Sequence, residues 1–455
     1  MNPSHFMTRS LAMHPWGGKV ARVCSAAIQA VDPAAAVHKH MQLTGEGLQV
    51  DSMYIDLSEI KRILIAGAGK AGTPMVQAVA EILGERVNEG VVIVKQGYGG
   101  AANPGSRIEI IEAGHPTPDE RGVHGTSRML QLLQSANEED LVISLISGGG
   151  SALLTSPEGN ISLEELQALT SLLLASGASI NEINAVRKHL DRVKGGKLAR
   201  VATPAHTVTL ILSDVIGDPL DVIASGPFVP DPSTFQQAYN VLEKYGIYDR
   251  IPGSIKEHLL SGIRGEIPET PKQGDPIFDR VYNVVIGSNR EAARAALSQA
   301  EDEGMNTCLL TTYLQGEARQ AGRFLGTIGR QVADTGQPVP RPACLIAGGE
   351  TTVTLRGKGA GGRNQELALG AVYELKGLGD VALVALATDG GDGPTDAAGA
   401  VVTGDTLARA SIAGMDPGEY LRHNDSYHFF EALGDLLKPG PTQTNVNDLA
   451  FLFAF

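Results

Sequence analysis

A chain of 455 residues outgrows a single hydrophobic core, so two domains are expected. With 42% apolar and 19% charged residues, it is neither a disordered nor a fibrous polymer. Its 37 basic against 51 acidic residues, a net charge of −14, argue against nucleic acid or an anionic membrane surface as a general partner.

The N-terminal stretch MNPSHFMTRSLAMHPWGG lacks the charged and apolar regions of an export signal, and no apolar run approaches the roughly 20 residues of a membrane span. A soluble, cytoplasmic protein without membrane contact is expected. Cys24, Cys308 and Cys344 are odd in number and far apart, which suits reduced thiols better than a disulfide frame or a zinc site.

Residues 19 to 41 carry helical apolar spacing broken at Asp32-Pro33, which predicts two short helices. KRILIAGAGKAG then reads as a buried strand, Ile63 to Ala66, a glycine turn, and a helix from about Thr73 to Leu83. Further strands are expected in VVIVK (91–95), IEIIEAG (108–114), DLVISLISGGG (140–150) and HTVTLILSDV (206–215). Short apolar strands alternating with helices predict an α/β fold, here a Rossmann-like, doubly wound parallel sheet whose ligands gather at the carboxyl ends of the strands.

The proline-rich, charged stretch 229–279 is the expected linker, with a second α/β domain opening at RVYNVVIGSN. That domain is expected to hold strands in TCLLTTY, ACLIAGG, TTVTLRG and DVALVALATDG and helices near 290–303, 316–335 and 363–375. No internal repeat is visible.

Gly67, Gly69 and Gly72 match G-x-G-x-x-G between strand and helix, where a helix N-terminus takes an anion. The next strand ends in Lys95 rather than the acid that would hold an NAD ribose, so NAD is disfavoured while NADP stays open, with Lys95 meeting a 2′-phosphate. The loop is not a Walker A either. Lys70 nevertheless puts a compact positive charge among backbone amides, suited to a transferring phosphoryl group.

Ser147, Gly148, Gly149, Gly150 and Ser151 follow the most apolar strand of the first half and read either as an anion-binding nest or as a tight structural turn. In NAVRKHLDRVKGGKLA, Arg187 either pairs along the helix with Asp191 or contacts a substrate carboxylate, and His189 reads as structural. Asp214 ends a strand, where it serves a metal, a substrate hydroxyl or a turn.

In the second half, GGETTVTLRGKGAGGRNQE brings Glu350 and then Arg363 behind two glycines. The guanidinium offers a planar fork to phosphate or carboxylate, and Asn364 and Gln365 add donors and acceptors. TDGGDGPTD sets Asp389 and Asp392 at a strand end, a carboxylate cluster suited to Mg²⁺ carried in with nucleotide.

GAGKAG, SGGGSAL, NAVRKHLDRVKGGKLA, SDVIGDPLDVIASGP, GGRNQELAL, ATDGGDGPTDAAGA, HNDSY and TNVNDL occur in this order. Together they resemble the glycerate 2-kinases of the MOFRL type from about residue 20 to 450. The resemblance implies ATP-dependent phosphorylation of D-glycerate to 2-phosphoglycerate in two α/β domains with the site in the cleft between them. It assigns the essential cations to Lys70 and Arg363.

The resemblance also divides the chain into residues 1–278, completed by the C-terminal segment 438–455, and residues 279–437. The expected partners are then a small hydroxy acid and a nucleotide, with ATP and Mg²⁺ as cofactors; homo-oligomer formation is left open. Gln443 stands where the family pattern expects glycine. Some relatives carry a hydroxypyruvate reductase label, so an NADP-linked reductase is the alternative, and a non-catalytic nucleotide or sugar-acid sensor a second one.

Overall fold

The computed structural model describes residues 1–100 and 107–455. They form two compact units, one of Pro33–Ile286 and the other of Met1–Asp32 with Gly287–Phe455.

The first unit is built on six strands: β1 (Arg62–Ala68), β2 (Val87–Lys95), β3 (Ile108–Ala113), β4 (Asp140–Ile146), β5 (His206–Leu212) and β6 (Val281–Gly287). Their order across the sheet is β3-β2-β1-β4-β5-β6. The pairs β1–β2, β2–β3, β1–β4 and β4–β5 are parallel. Every residue of β4 is buried, which is why DLVISLI is a continuous apolar run rather than an alternating one. Leu64, Ile93, Val142 and Leu198 share the core on one face.

The chain runs outward from β1 through β2 to β3, then returns to begin β4 on the other side of β1. The carboxyl ends of β1 and β4 therefore flank the switch point, the position where open α/β sheets leave a ligand crevice.

The second unit carries β7 (Asn306–Leu314), β8 (Ala343–Gly349), β9 (Val381–Ala387), β10 (Gly399–Thr403), β11 (Leu436–Leu437) and β12 (Asp448–Ala454), in the order β7-β8-β12-β9-β10-β11. The last strand lies antiparallel to both β8 and β9. Helices Ala318–Thr335 and Arg363–Leu375 pack closely against each other. A methyl group at Gly322 would fall 1.8 Å from the Leu367 carbonyl oxygen, so only glycine permits that approach.

Five expectations need correction. The C-terminal segment does not complete the parallel sheet, because β12 is all apolar after Asp448 and takes the central slot of the second sheet. VYNVVIG does not open the second unit; it is the edge strand of the first. Residues 229–279 are no linker, since Phe235–Lys244 and Gly253–Ile263 bury Phe235, Leu242, Ile255 and Leu259 in a core with Leu173 and Val186. TTVTLRG forms only an isolated bridge, Glu317 to Thr352, because its surroundings are largely exposed. Residues 1–32, expected in the first domain, belong to the second unit, where Lys19 and Arg22 reach Glu303.

Candidate functional site

At the switch point of the first unit two glycine loops are stitched together. The Lys70 backbone N–H donates to the Gly148 carbonyl at 2.8 Å, and the Ala71 N–H donates to Ser147 Oγ at 3.0 Å. Gly69 adopts φ 141 and a methyl group there would overlap Ser147 Oγ at 2.1 Å, so the contact demands glycine. Ser147 is buried. Its hydroxyl is a clamp between loops rather than a donor presented to a ligand, a correction to the sequence expectation.

Lys70 is half-buried beside the same loop. A methyl group at Gly149 would lie 3.4 Å from Lys70 Cγ and 3.0 Å from His115 Nε2, and one at Gly148 would lie 2.1 Å from Asp214 Oδ2. Lys70, His115 and Asp214 thus border one glycine turn. Burial first, then the charges of Lys70 and Lys95, push the His115 imidazole down to about 4. It is neutral at pH 7. Ser151 turns aside to Ser225 Oγ at 2.9 Å, and Ser225 donates to Asn184 Oδ1 at 3.0 Å. Gly150 packs on Ala224, since a methyl there would meet its Cβ at 2.7 Å. Ala224 and Ser225 both hold positive φ, 50 and 61, a strained pair of buried residues at this site.

Lys188 and Lys194, flanking Arg187 in sequence, are committed: Lys188 to Asp221 and Asp231 at 3.3 and 3.2 Å, and Lys194 to Asp191 at 2.5 Å. The Arg187 side chain makes no hydrogen bond or ion pair among the described residues, so the internal pairing open to it in the sequence falls to Lys194. Burial holds its guanidinium below the ordinary value, opposed by the charge of Asp191. His189 Nδ1 donates to the Ala185 carbonyl at 2.7 Å and its Nε2 lies 3.1 Å from Glu269 Oε1, a structural role.

In the second unit Arg363 starts its helix and is gripped from two sides. Nε meets Asp448 Oδ2 at 2.5 Å, Nη2 meets Oδ1 at 3.1 Å, and Nη1 meets Glu350 at 3.1 Å. Burial disfavours the charge, but the bond to Asp448 and the charges of Asp448, Glu350 and Asp392 outweigh it and raise the guanidinium pKa. Three of five N–H groups are engaged, which leaves a partial fork for an anion.

Asn364 and Gln365 do not face a ligand. Both are buried: the Asn364 amide side chain turns to Asp392 Oδ1 at 3.3 Å, and that of Gln365 to Thr395 at 2.9 Å. Asp392 accepts the main-chain N–H of Asn364 on one oxygen and that of Gln365 on the other, at 3.1 and 2.8 Å. Both its oxygens are therefore spent at the helix N-terminus, and it does not fit the metal role expected from its sequence position. Asp389 is half-buried and accepts from the Gly391 N–H at 3.1 Å on one oxygen. It fits a single-carboxylate contact to a Mg²⁺ otherwise held by phosphates and water. Among the described residues no group of three or more His, Cys, Asp or Glu side chains could hold a metal by itself.

Two residues escaped the sequence reading. His115 was signalled only by its place before Pro116 just after β3. Asp448 was signalled as the acid that opens the last apolar run.

The architecture is that of a two-unit α/β protein with glycine loops meeting at a switch-point crevice. The MOFRL family pattern matches residues 343–448, and residues 19–260 match a domain of unknown function, DUF4147. A glycerate 2-kinase of Pyrococcus horikoshii is 44% identical over 94% of this chain and 95% of its own. A D-glycerate 2-kinase of Thermotoga maritima is 48% identical over 86% and 90%. A putative hydroxypyruvate reductase of Agrobacterium vitis is 42% identical over 94% and 92%. A crystal structure of a glycerate kinase from Thermotoga maritima superposes with a TM-score of 0.85 at 45% identity, covering 95% of this chain and 98% of that one. The chain belongs to the glycerate 2-kinase family of the MOFRL type.

Proposed function

We propose that this chain transfers a phosphoryl group from ATP to the 2-hydroxyl of D-glycerate. The observation that carries the reading is near full-length identity of 44 and 48% to two proteins named as glycerate 2-kinases. The geometry of the first unit supports it: a lysine beside two interlocked glycine loops is chemistry for an anion that must be approached by main chain.

In this reading Lys70 and Arg363 are the cations that meet the phosphoryl group as charge shifts from donor to acceptor oxygen. Asp448 holds the Arg363 fork from the buried side, and exposed Glu350 occupies the place that an anion would take. Asp214, which borders Gly148, accepts the hydroxyl proton. His115 stays uncharged, so no second cation competes with Lys70 for the loop. Arg187 offers a guanidinium to the substrate carboxylate. Asp389 would hold a Mg²⁺, which neutralises charge on the nucleotide phosphates when bound.

The test is an assay with ATP, Mg²⁺ and D-glycerate, with the phosphate position in the product read by NMR. 2-Phosphoglycerate is expected. Oxidation of NADPH by hydroxypyruvate with no phosphorylated product would replace the kinase by the reductase. Lys70→Ala and Arg363→Ala should each abolish turnover with unchanged circular dichroism, and near-normal activity in either removes that residue from the mechanism.

A further inference from the structure

A cavity of about 580 Å³ opens in the first unit between helix Ile180–Leu190, helix Phe235–Lys244 and the loop around Asp221. It lies within the range of about 300–1,000 Å³ that encloses drug-sized ligands, and a three-carbon acid would leave most of it empty.

The charges around this cavity are already neutralised. Lys188 is bound by Asp221 and Asp231, and Glu182 is bound by Lys244 at 2.5 Å. An anion would therefore have to displace an existing buried pair, so the walls do not select one. The polar capacity left over is amide. Among the described residues neither the Asn181 side chain nor Asn184 Nδ2 has a hydrogen-bond partner, and Asn184 is only 2% exposed. The Asn184 amide donor is accessible to the cavity rather than sealed in packed protein, and Asn181 is exposed at its rim, so both amides are open to a ligand. Ala185, Pro219, Val222 and Val241 supply apolar wall between the amides. Amide edges with apolar faces suit an uncharged planar heterocycle.

The cavity is also connected to the glycine loops. Asn184 Oδ1 accepts from Ser225, which bonds Ser151, at 3.0 and 2.9 Å. The cavity wall and the loop are thus no more than about 6 Å apart through these two bonds. A ligand with its base among Asn181, Asn184 and Asn240 could extend its phosphates toward Lys70 without leaving the unit.

We infer that this cavity is a nucleoside site, taking the base and ribose of the phosphoryl donor while the glycine loops take its phosphates. The inference deepens the kinase reading and rests on it for the identity of the donor, but nucleoside binding can be measured without any turnover.

The experiment is calorimetric titration of the full-length protein with ADP and with adenosine, in wild type, Ala185→Trp and Asn181→Ala, each checked for folding by thermal melting. Ala185→Trp fills the cavity and should weaken both ligands at least tenfold; Asn181→Ala should weaken them several-fold. D-Glycerate affinity should be unchanged in both. Unchanged ADP and adenosine affinity in folded Ala185→Trp overturns the proposal, as does loss of D-glycerate binding alone. If Ala185→Trp fails to fold, Asn181→Ala decides by the same comparison. Cavity-dependent adenosine binding in a wild-type protein that cannot phosphorylate D-glycerate would sink the kinase reading and leave the nucleoside site standing.

Discussion

Asp448 binds Arg363 at both ends of the guanidinium fork, with Oδ2 accepting from Nε at 2.5 Å and Oδ1 accepting from Nη2 at 3.1 Å. The acid stands at the start of the final strand, whose neighbours β8 and β9 pair with it along its whole length, so the anchor is set in the most rigid part of the second sheet. Asn289 reinforces it by donating to the carbonyls of Val446 and Asp448, both at 2.9 Å. Burial raises the Asp448 pKa while the Arg363 bond opposes that shift, so the two groups depend on each other.

Asp448→Asn keeps the shape but presents one N–H₂ to a cation. It should cost on the order of 2 kcal/mol, the scale of a charge-assisted hydrogen bond, and should lower turnover at least tenfold because the Arg363 fork loses its alignment. Denaturant unfolding and steady-state kinetics read the two effects. Wild-type turnover in a destabilised variant would show that Arg363 needs no anchor to act.

Gln443 has φ 63, in the left-handed region that glycine adopts without strain. The loop around it is nonetheless held: Thr444 donates to the Val31 carbonyl at 2.6 Å, and Thr388 donates to the Asn447 carbonyl at 2.7 Å. Gln443→Gly relieves about 1 kcal/mol of strain and loses a comparable amount through the freer unfolded chain. The expected outcome is a melting temperature equal to or slightly above that of the starting protein, with turnover preserved. A clear loss of stability would mean that the glutamine side chain makes a contact worth more than its strain.

Local signals were legible in the sequence wherever they were strong and short-ranged. The strand-glycine-helix unit around Lys70 announces itself by an apolar run broken by glycines, and the structure places β1 and the helix Gly72–Leu83 there. The parallel sheet follows from alternation. What was not legible is long-range pairing: LAFLFA has the same apolar character whether it joins either sheet, and only register with β8 and β9 decides. Side-chain direction was equally hidden. A serine in SGGGS and an aspartate in DGGDG carry the same chemistry whether they face a ligand or clamp a backbone, and Ser147 and Asp392 do the latter.

The clamp at Ser147 has a measurable consequence. Ser147→Ala would leave the buried Ala71 N–H without its acceptor, at a cost of about 1–3 kcal/mol. Urea unfolding should show that loss, accompanied by lower turnover as the Lys70 turn loosens from the second loop. If the hydroxyl instead served a ligand directly, turnover would fall while the unfolding midpoint stayed where it was.

Asp392 gives the last prediction, which concerns pH. Burial pushes its carboxyl up to about 6 from an ordinary 3.8; the amides of Gln365 and Asn364 pull it down, the Asp448 charge raises it further, and Arg363 opposes that. Between those two values the folded protein holds a proton that the unfolded chain has released. Stability from this group is thus fully present below about pH 4 and is lost as pH rises through about 6. A shift of this size corresponds to at most about 3 kcal/mol. Asp392→Asn removes the titration and also weakens the helix start, because its N–H₂ faces the Gln365 N–H. The variant should therefore be less stable than the parent at pH 5, and the gap should narrow by pH 7.5. A gap that widens with pH would mean that the charged carboxylate is the stabilising form.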